Sequence, residues 1–143
     1  MDKNKKLDMI VNNIKIWKIE SLDVLQLKDI FVESIVYDSE LTITLKSNNI
    51  KILLKFERFE SYRVNDESNL LEYWEELDAK NENGYVFYEI FNSSYYSEIK
   101  KLSKDFFSGG GDSDSIKHYG IFSINECVEV LSDLPPIVVY SEY

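Results

Sequence analysis

His118 is the only histidine in the chain and Cys127 the only cysteine. Brought together, such a pair can form a dyad in which the imidazole takes the thiol proton and frees a nucleophilic thiolate. Their surroundings argue for something plainer. Cys127 lies in an apolar run, where a free cysteine behaves as a small hydrophobe. His118 opens an alternating stretch, where it caps or hydrogen-bonds. One histidine and one cysteine exclude a zinc site of the usual ligand sets and any internal disulfide.

Carboxylates alone could hold calcium or magnesium. Asp112 and Asp114, in the SGGGDSDS loop at 108–115, have the spacing of alternate ligands, but no later bidentate glutamate follows as in a calcium-binding loop. The glycines are not followed by Lys-Ser or Lys-Thr, so the loop is no phosphate-binding P-loop. Glu57, Glu60, Glu67 and Glu72 could be paired on paper for glycoside hydrolysis. With 26 acidic residues in 143, such pairs arise by chance. The sequence therefore gives no catalytic residue, no metal site and no cofactor.

Arg63 sits in Ser61-Tyr62-Arg63, inside the most acidic part of the chain. A planar guanidinium there suits pairing with carboxylates; binding an anionic ligand is the minority role. If a ligand pocket exists, Tyr62, Arg63, His118 and Tyr119 are its candidate lining. The ten tyrosines are the other unusual feature. Tyr73, Tyr85, Tyr88, Tyr95 and Tyr96 accompany Tyr62 and Tyr119 along the central and later chain. Most are expected to line a sheet–helix core with their hydroxyls reaching solvent.

These residues need elements to hold them. Residues 41–45 alternate with period two, placing Leu41, Ile43 and Leu45 on one face. Lys46-Ser-Asn-Asn has turn chemistry, in which Asn tolerates positive φ, and 50–56 returns as the partner strand. Residues 59–64 continue the meander. Asp66 or Ser68 is placed to cap a helix whose apolar stripe is Leu70, Tyr73, Trp74 and Leu77. Glu72, Glu75, Glu76 and Asp78 fall off that stripe and predict an acidic outer face. An aromatic strand at 85–91 leads to a short helix over 95–107, and residues 118–124 alternate again. Residues 127–131 fit either a strand or a helix. Pro135-Pro136 precedes an edge strand at 137–140. The first 30 residues suggest only a strand near 14–19. Strands and helices mix without a βαβ rhythm, so the expected fold is α+β: an antiparallel meander sheet with two or three packed helices, in one domain over 1–143.

The net charge of −10 is uneven. Residues 1–20 carry five lysines against three acids, while 57–92 carry ten acids against three basic residues, a net of −7. Such a surface repels phosphates and acidic membranes, so neither nucleic acid nor membrane is the expected partner. The start of the chain lacks the apolar run of a signal peptide, and no stretch approaches the length of a membrane span. The expected location is the cytoplasm.

The strand pair 41–56, Tyr62-Arg63-Val64, the aromatic strand ending in Asn92-Ser93, His118-Tyr119 and the following Asn125 together resemble a set of small uncharacterised acidic bacterial proteins. In size, charge and fold such proteins are similar to immunity proteins, which neutralise a toxin. The resemblance spans roughly the last 110 residues and contains no catalytic signature. The resemblance implies an immunity protein against a toxin; the acidic segment and the absence of a cofactor loop, metal cluster or triad point to a non-catalytic module that binds a protein partner, a basic toxin in the most concrete version, through Glu72, Tyr73, Glu75, Glu76 and Asp78. Two alternatives remain: a ligand-binding protein or enzyme with a pocket near Arg63 and His118, and a homodimer paired through the 137–140 edge.

Overall fold

A computed structural model of the chain describes residues 14–19, 22–23, 27, 29–66, 70–103 and 115–142. Among these, nine strands form two antiparallel sheets, accompanied by two short helices. The α+β expectation is thus corrected: the fold is sheet-rich, with helices on one side only. The sequence shows which segments are strands more clearly than which strands pair, and the pairing divides the strands between two sheets.

One sheet has the order β2 (Phe31–Asp38), β3 (Glu40–Lys46), β4 (Ile50–Phe56) and β9 (Ile137–Glu142). The β3–β4 hairpin carries the predicted alternation, with Leu41, Ile43, Leu45, Ile52, Leu54 and Phe56 fully buried. Its turn closes through the Ser47 amide donating to the Ile50 carbonyl at 2.9 Å, without a positive-φ asparagine. The positive φ instead falls on Ser39, at the β2–β3 turn. The 137–140 segment does lie on the rim of this sheet, as β9.

The second sheet has the order β1 (Ile14–Ile16), β6 (Phe87–Ile90), β7 (Lys117–Phe122), β8 (Cys127–Ser132) and β5 (Ser61–Asn65). Residues 127–131, ambiguous in sequence, are strand β8, and β5 leaves the meander to pair with it. Phe87, Tyr119, Ile121, Val128 and Val130 face the first sheet and complete one apolar core. Burying a side chain of this size stabilises by roughly 1.5–3 kcal/mol.

The opposite face of the second sheet carries α1 (Leu71–Lys80) and α2 (Ser94–Leu102). Leu70 and Leu77 of the predicted stripe pack on Ile14, Tyr88, Ile90, Phe122 and Cys127. The cap position of α1 is Leu70, with no side-chain cap, rather than Asp66; Ser68 lies outside the described residues. The helix ends on Asn81 in the left-handed conformation (φ 58°), where the amides of Asn81 and Glu82 donate to the carbonyls of Asp78 and Leu77. α2 begins at Ser93, whose hydroxyl accepts from the Tyr96 amide at 2.9 Å. Asn125 accepts from the Val32 amide and donates to the Val32 carbonyl, fastening the β7–β8 turn to the first sheet.

Candidate functional site

A strand shows alternate residues to opposite faces. Tyr62 and Arg63 are neighbours on β5, and His118 and Tyr119 on β7, so these four cannot line one pocket. Tyr62 and Tyr119 turn toward the first sheet. Tyr119 is buried against Trp17 and Phe56 and burial pushes its phenol up to about 12. Arg63 and His118 turn toward the helices. The pocket expected from the four residues is therefore corrected to two separate places.

On the helix side, Arg63 and His118 meet on a residue that the sequence did not single out. Glu129, in the middle of β8, is fully buried. It pairs with Arg63 on one side and with Gly120 on the other. One carboxylate oxygen accepts from His118 Nε2 at 2.8 Å, Tyr73 Oη at 3.0 Å and an Arg63 terminal nitrogen at 3.2 Å. The other accepts from Arg63 Nε at 2.6 Å and Asn65 Nδ2 at 3.5 Å. The Arg63 guanidinium also lies over the Tyr95 ring of α2, 4.1 Å from its centre.

The electrostatics follow from this set. Burial opposes ionisation of Glu129, but hydrogen bonds from His118 and Arg63 outweigh it and hold the carboxyl down at about 2. Burial pushes the His118 imidazole below its ordinary value, and Arg63 adds to that, against the hydrogen bond to Glu129. The histidine is then neutral, and the ionised carboxylate fixes its proton on Nε2. Nδ1 is left to accept from the Ser93 hydroxyl at 2.7 Å. Burial first, then Glu129, raises the Tyr73 phenol. Burial lowers the Arg63 pKa, but its bond to Glu129 outweighs this and the net shift is upward.

Ser93, His118 and Glu129 thus form a hydroxyl–imidazole–carboxylate chain. Such a chain can pass a serine proton to a base. Two features weaken it as a catalytic relay: the Ser93 oxygen already accepts from the Tyr96 amide at the start of α2, and Arg63 is paired with the carboxylate that would stabilise an imidazolium. The Cys127–His118 dyad, disfavoured by the sequence, is not formed, and Cys127 is a buried thiol. Cys127 pairs with Phe122 and His118 with Leu131, at opposite ends of the β7–β8 ladder.

The acidic helix face is only partly as expected. Glu72, Glu75 and Asp78 are exposed. Glu76 is buried and accepts from the Ile14 amide at 2.6 Å, next to Lys80 at 3.4 Å, so it clamps β1 instead of facing outward. Tyr73 turns in to Glu129 and stacks on Phe122. Tyr73 points where the apolar stripe places it and is thereby withdrawn from the outer face, whereas Glu76 lies off the stripe and turns in because the Ile14 amide takes its carboxylate. Asp112, Asp114 and Glu67 lie outside the described residues. Among the described residues, no group of three or more His, Cys, Asp or Glu is placed to hold a metal, and no helix is long and apolar enough to cross a membrane.

No protein-family model matches the chain, and neither does any curated protein or solved structure.

Proposed function

We propose that the protein is a non-catalytic binding module for a basic protein partner, in its most specific form an immunity protein that neutralises a toxin. One observation carries this reading: Glu72, Glu75 and Asp78 project from α1 beside a 62% exposed Leu71, while the inward side of the same helix is tied into the sheet through Tyr73, Glu76 and Leu77. The helix is thus rigidly seated and presents acids and an apolar contact to solvent. Acids steer a basic partner and an exposed leucine supplies contact area. The test is capture of a partner from the source strain, its identification, and its affinity for the wild type and for the Glu72→Lys/Glu75→Lys/Asp78→Lys variant. A loss of about tenfold or more in affinity is expected, since rim charges act chiefly on association.

A second reading, a ligand-binding protein or enzyme, is favoured by the cleft of about 590 Å³ beside Ser93, lined also by Ile90, Phe91, Tyr96, Lys117 and His118. In that reading Ser93 is the nucleophile and His118 Nδ1 its base. Incubation with a fluorophosphonate decides: covalent labelling that Ser93→Ala abolishes supports it, and an unlabelled protein removes it.

A further inference from the structure

A second cleft, of about 530 Å³, lies at one end of the two-sheet sandwich. Three aromatic rings stand in its wall, each from a different segment. Tyr37 comes from the end of β2, Phe59 from the β4–β5 connection and Tyr62 from β5. Tyr37 and Phe59 are 5.3 Å apart at 82°, and Phe59 and Tyr62 are 6.0 Å apart at 64°. Both contacts are edge-to-face, a favoured geometry of aromatic pairs that fixes the three rings relative to one another. Tyr37 is 63% exposed and Tyr62 39% exposed, so the rings remain open to solvent.

Charge around the cleft is negative. Glu57 and Glu60 line it together with Arg58, whose guanidinium is already paired with Asp133. At the hairpin beside Tyr37, Asp38 and Glu40 stand directly opposite each other. Like charges in that position destabilise a sheet, so their placement is not explained by the fold. Aromatic faces carry negative potential and attract cations within about 6 Å of the ring centre, more strongly where water is excluded. Among the described residues no cation is recorded over Tyr37, Phe59 or Tyr62, in contrast to Arg63 over Tyr95 and Lys15 over Phe91.

We propose that Tyr37, Phe59 and Tyr62 form a cage for the side-chain cation of an arginine or lysine on the protein partner, with Glu57 supplying countercharge. This rests on the binding-module reading and names a second contact of the same partner, formed by elements other than α1. The rings desolvate the cationic head, and Glu57 selects charge over shape.

The experiment follows amide resonances of the full chain during titration with Nα-acetyl-arginine amide at constant ionic strength. The neutral isostere Nα-acetyl-citrulline amide is the control. The expected result is a saturable shift centred on residues 37, 39, 59 and 62 that the citrulline compound does not produce. Tyr37→Ala and Tyr62→Leu each weaken it about fivefold or more, as loss of one ring face implies. Equal response to the neutral compound, shifts that do not saturate, or a response unchanged in both variants would overturn the cage. The charge-reversed α1 variant serves to separate the two claims. If it loses the partner while the cage is silent, the cage alone fails. If it keeps the partner and the cage binds arginine, the α1 reading alone fails.

Discussion

Two places in the molecule gather the same residue types, tyrosine, arginine and glutamate, and put them to opposite use. Around Glu129, the acid is fully buried and accepts from Arg63, His118, Tyr73 and Asn65, so each strong group answers another. Around Tyr37, Phe59 and Tyr62, the rings and acids stand at a solvent-facing cleft. Burial makes the difference. A charge enclosed among apolar neighbours must be matched within the fold, whereas an exposed one need not be. The inward cluster is thus expected to govern stability, and the outward surfaces recognition.

The largest effect that can break this contrast is removal of the half-buried cation that pairs with the buried Glu129. Arg63→Ala leaves the Glu129 carboxylate without its bidentate partner and is expected to cost about 3–5 kcal/mol in urea unfolding. Tyr37→Ala, at the open cleft, should cost about 1 kcal/mol or less. Similar values for the two would erase the distinction.

Acid should act on the same cluster. The folded Glu129 pKa of about 2 lies below its ordinary 4.5, so its contribution is present above pH 4.5 and is lost as pH falls toward 2. The full shift corresponds to something on the order of 3 kcal/mol. His118 is likewise held below its ordinary 6.5, so the unfolded chain takes up a proton first and stability begins to fall below about that pH. Thermal melts from pH 7.5 to 3 should show the midpoint falling below pH 6.5 and more steeply below 4.5. Arg63→Ala should flatten the lower part, because without Arg63 the carboxyl titrates nearer its ordinary value.

The smallest stability effect is expected on α1. Glu72→Lys/Glu75→Lys/Asp78→Lys alters exposed positions only, and its unfolding midpoint should match the wild type to within about 0.5 kcal/mol.

The sequence was legible where a local period decides the structure. The 41–56 hairpin and the stripe of α1 could be read because alternation and helical spacing act over a few residues, and the 137–140 edge because Pro135-Pro136 bars a helix there. An ion pair for Arg63 was foreseeable, but with a neighbouring carboxylate of its acidic segment; the partner is Glu129, outside that segment. What was not legible was pairing over distance. Glu129 lies 66 residues from Arg63 and sits in an apolar run that gave no reason to look at it. One signal could have found it: a glutamate inside CVEVLS, next to buried valines, cannot stay ionised without a cation, and Arg63 is among the few arginines. Glu76 was misplaced for a related reason. Off-stripe position suggested solvent, but the orphan amide of Ile14 at the sheet rim drew it inward. Tyr62 and Arg63, and likewise His118 and Tyr119, are neighbours in sequence, but adjacency in a strand sends their side chains to opposite faces.

The central claim is that recognition lies on the outward acids of α1, separate from the buried Glu129 cluster. The most direct measurement is the equilibrium affinity of the captured partner for wild type and for Glu72→Lys/Glu75→Lys/Asp78→Lys, with both proteins shown to unfold at the same midpoint. The account predicts a loss of about tenfold or more at unchanged stability. Unchanged affinity for a variant that carries three lysines on that face would contradict it.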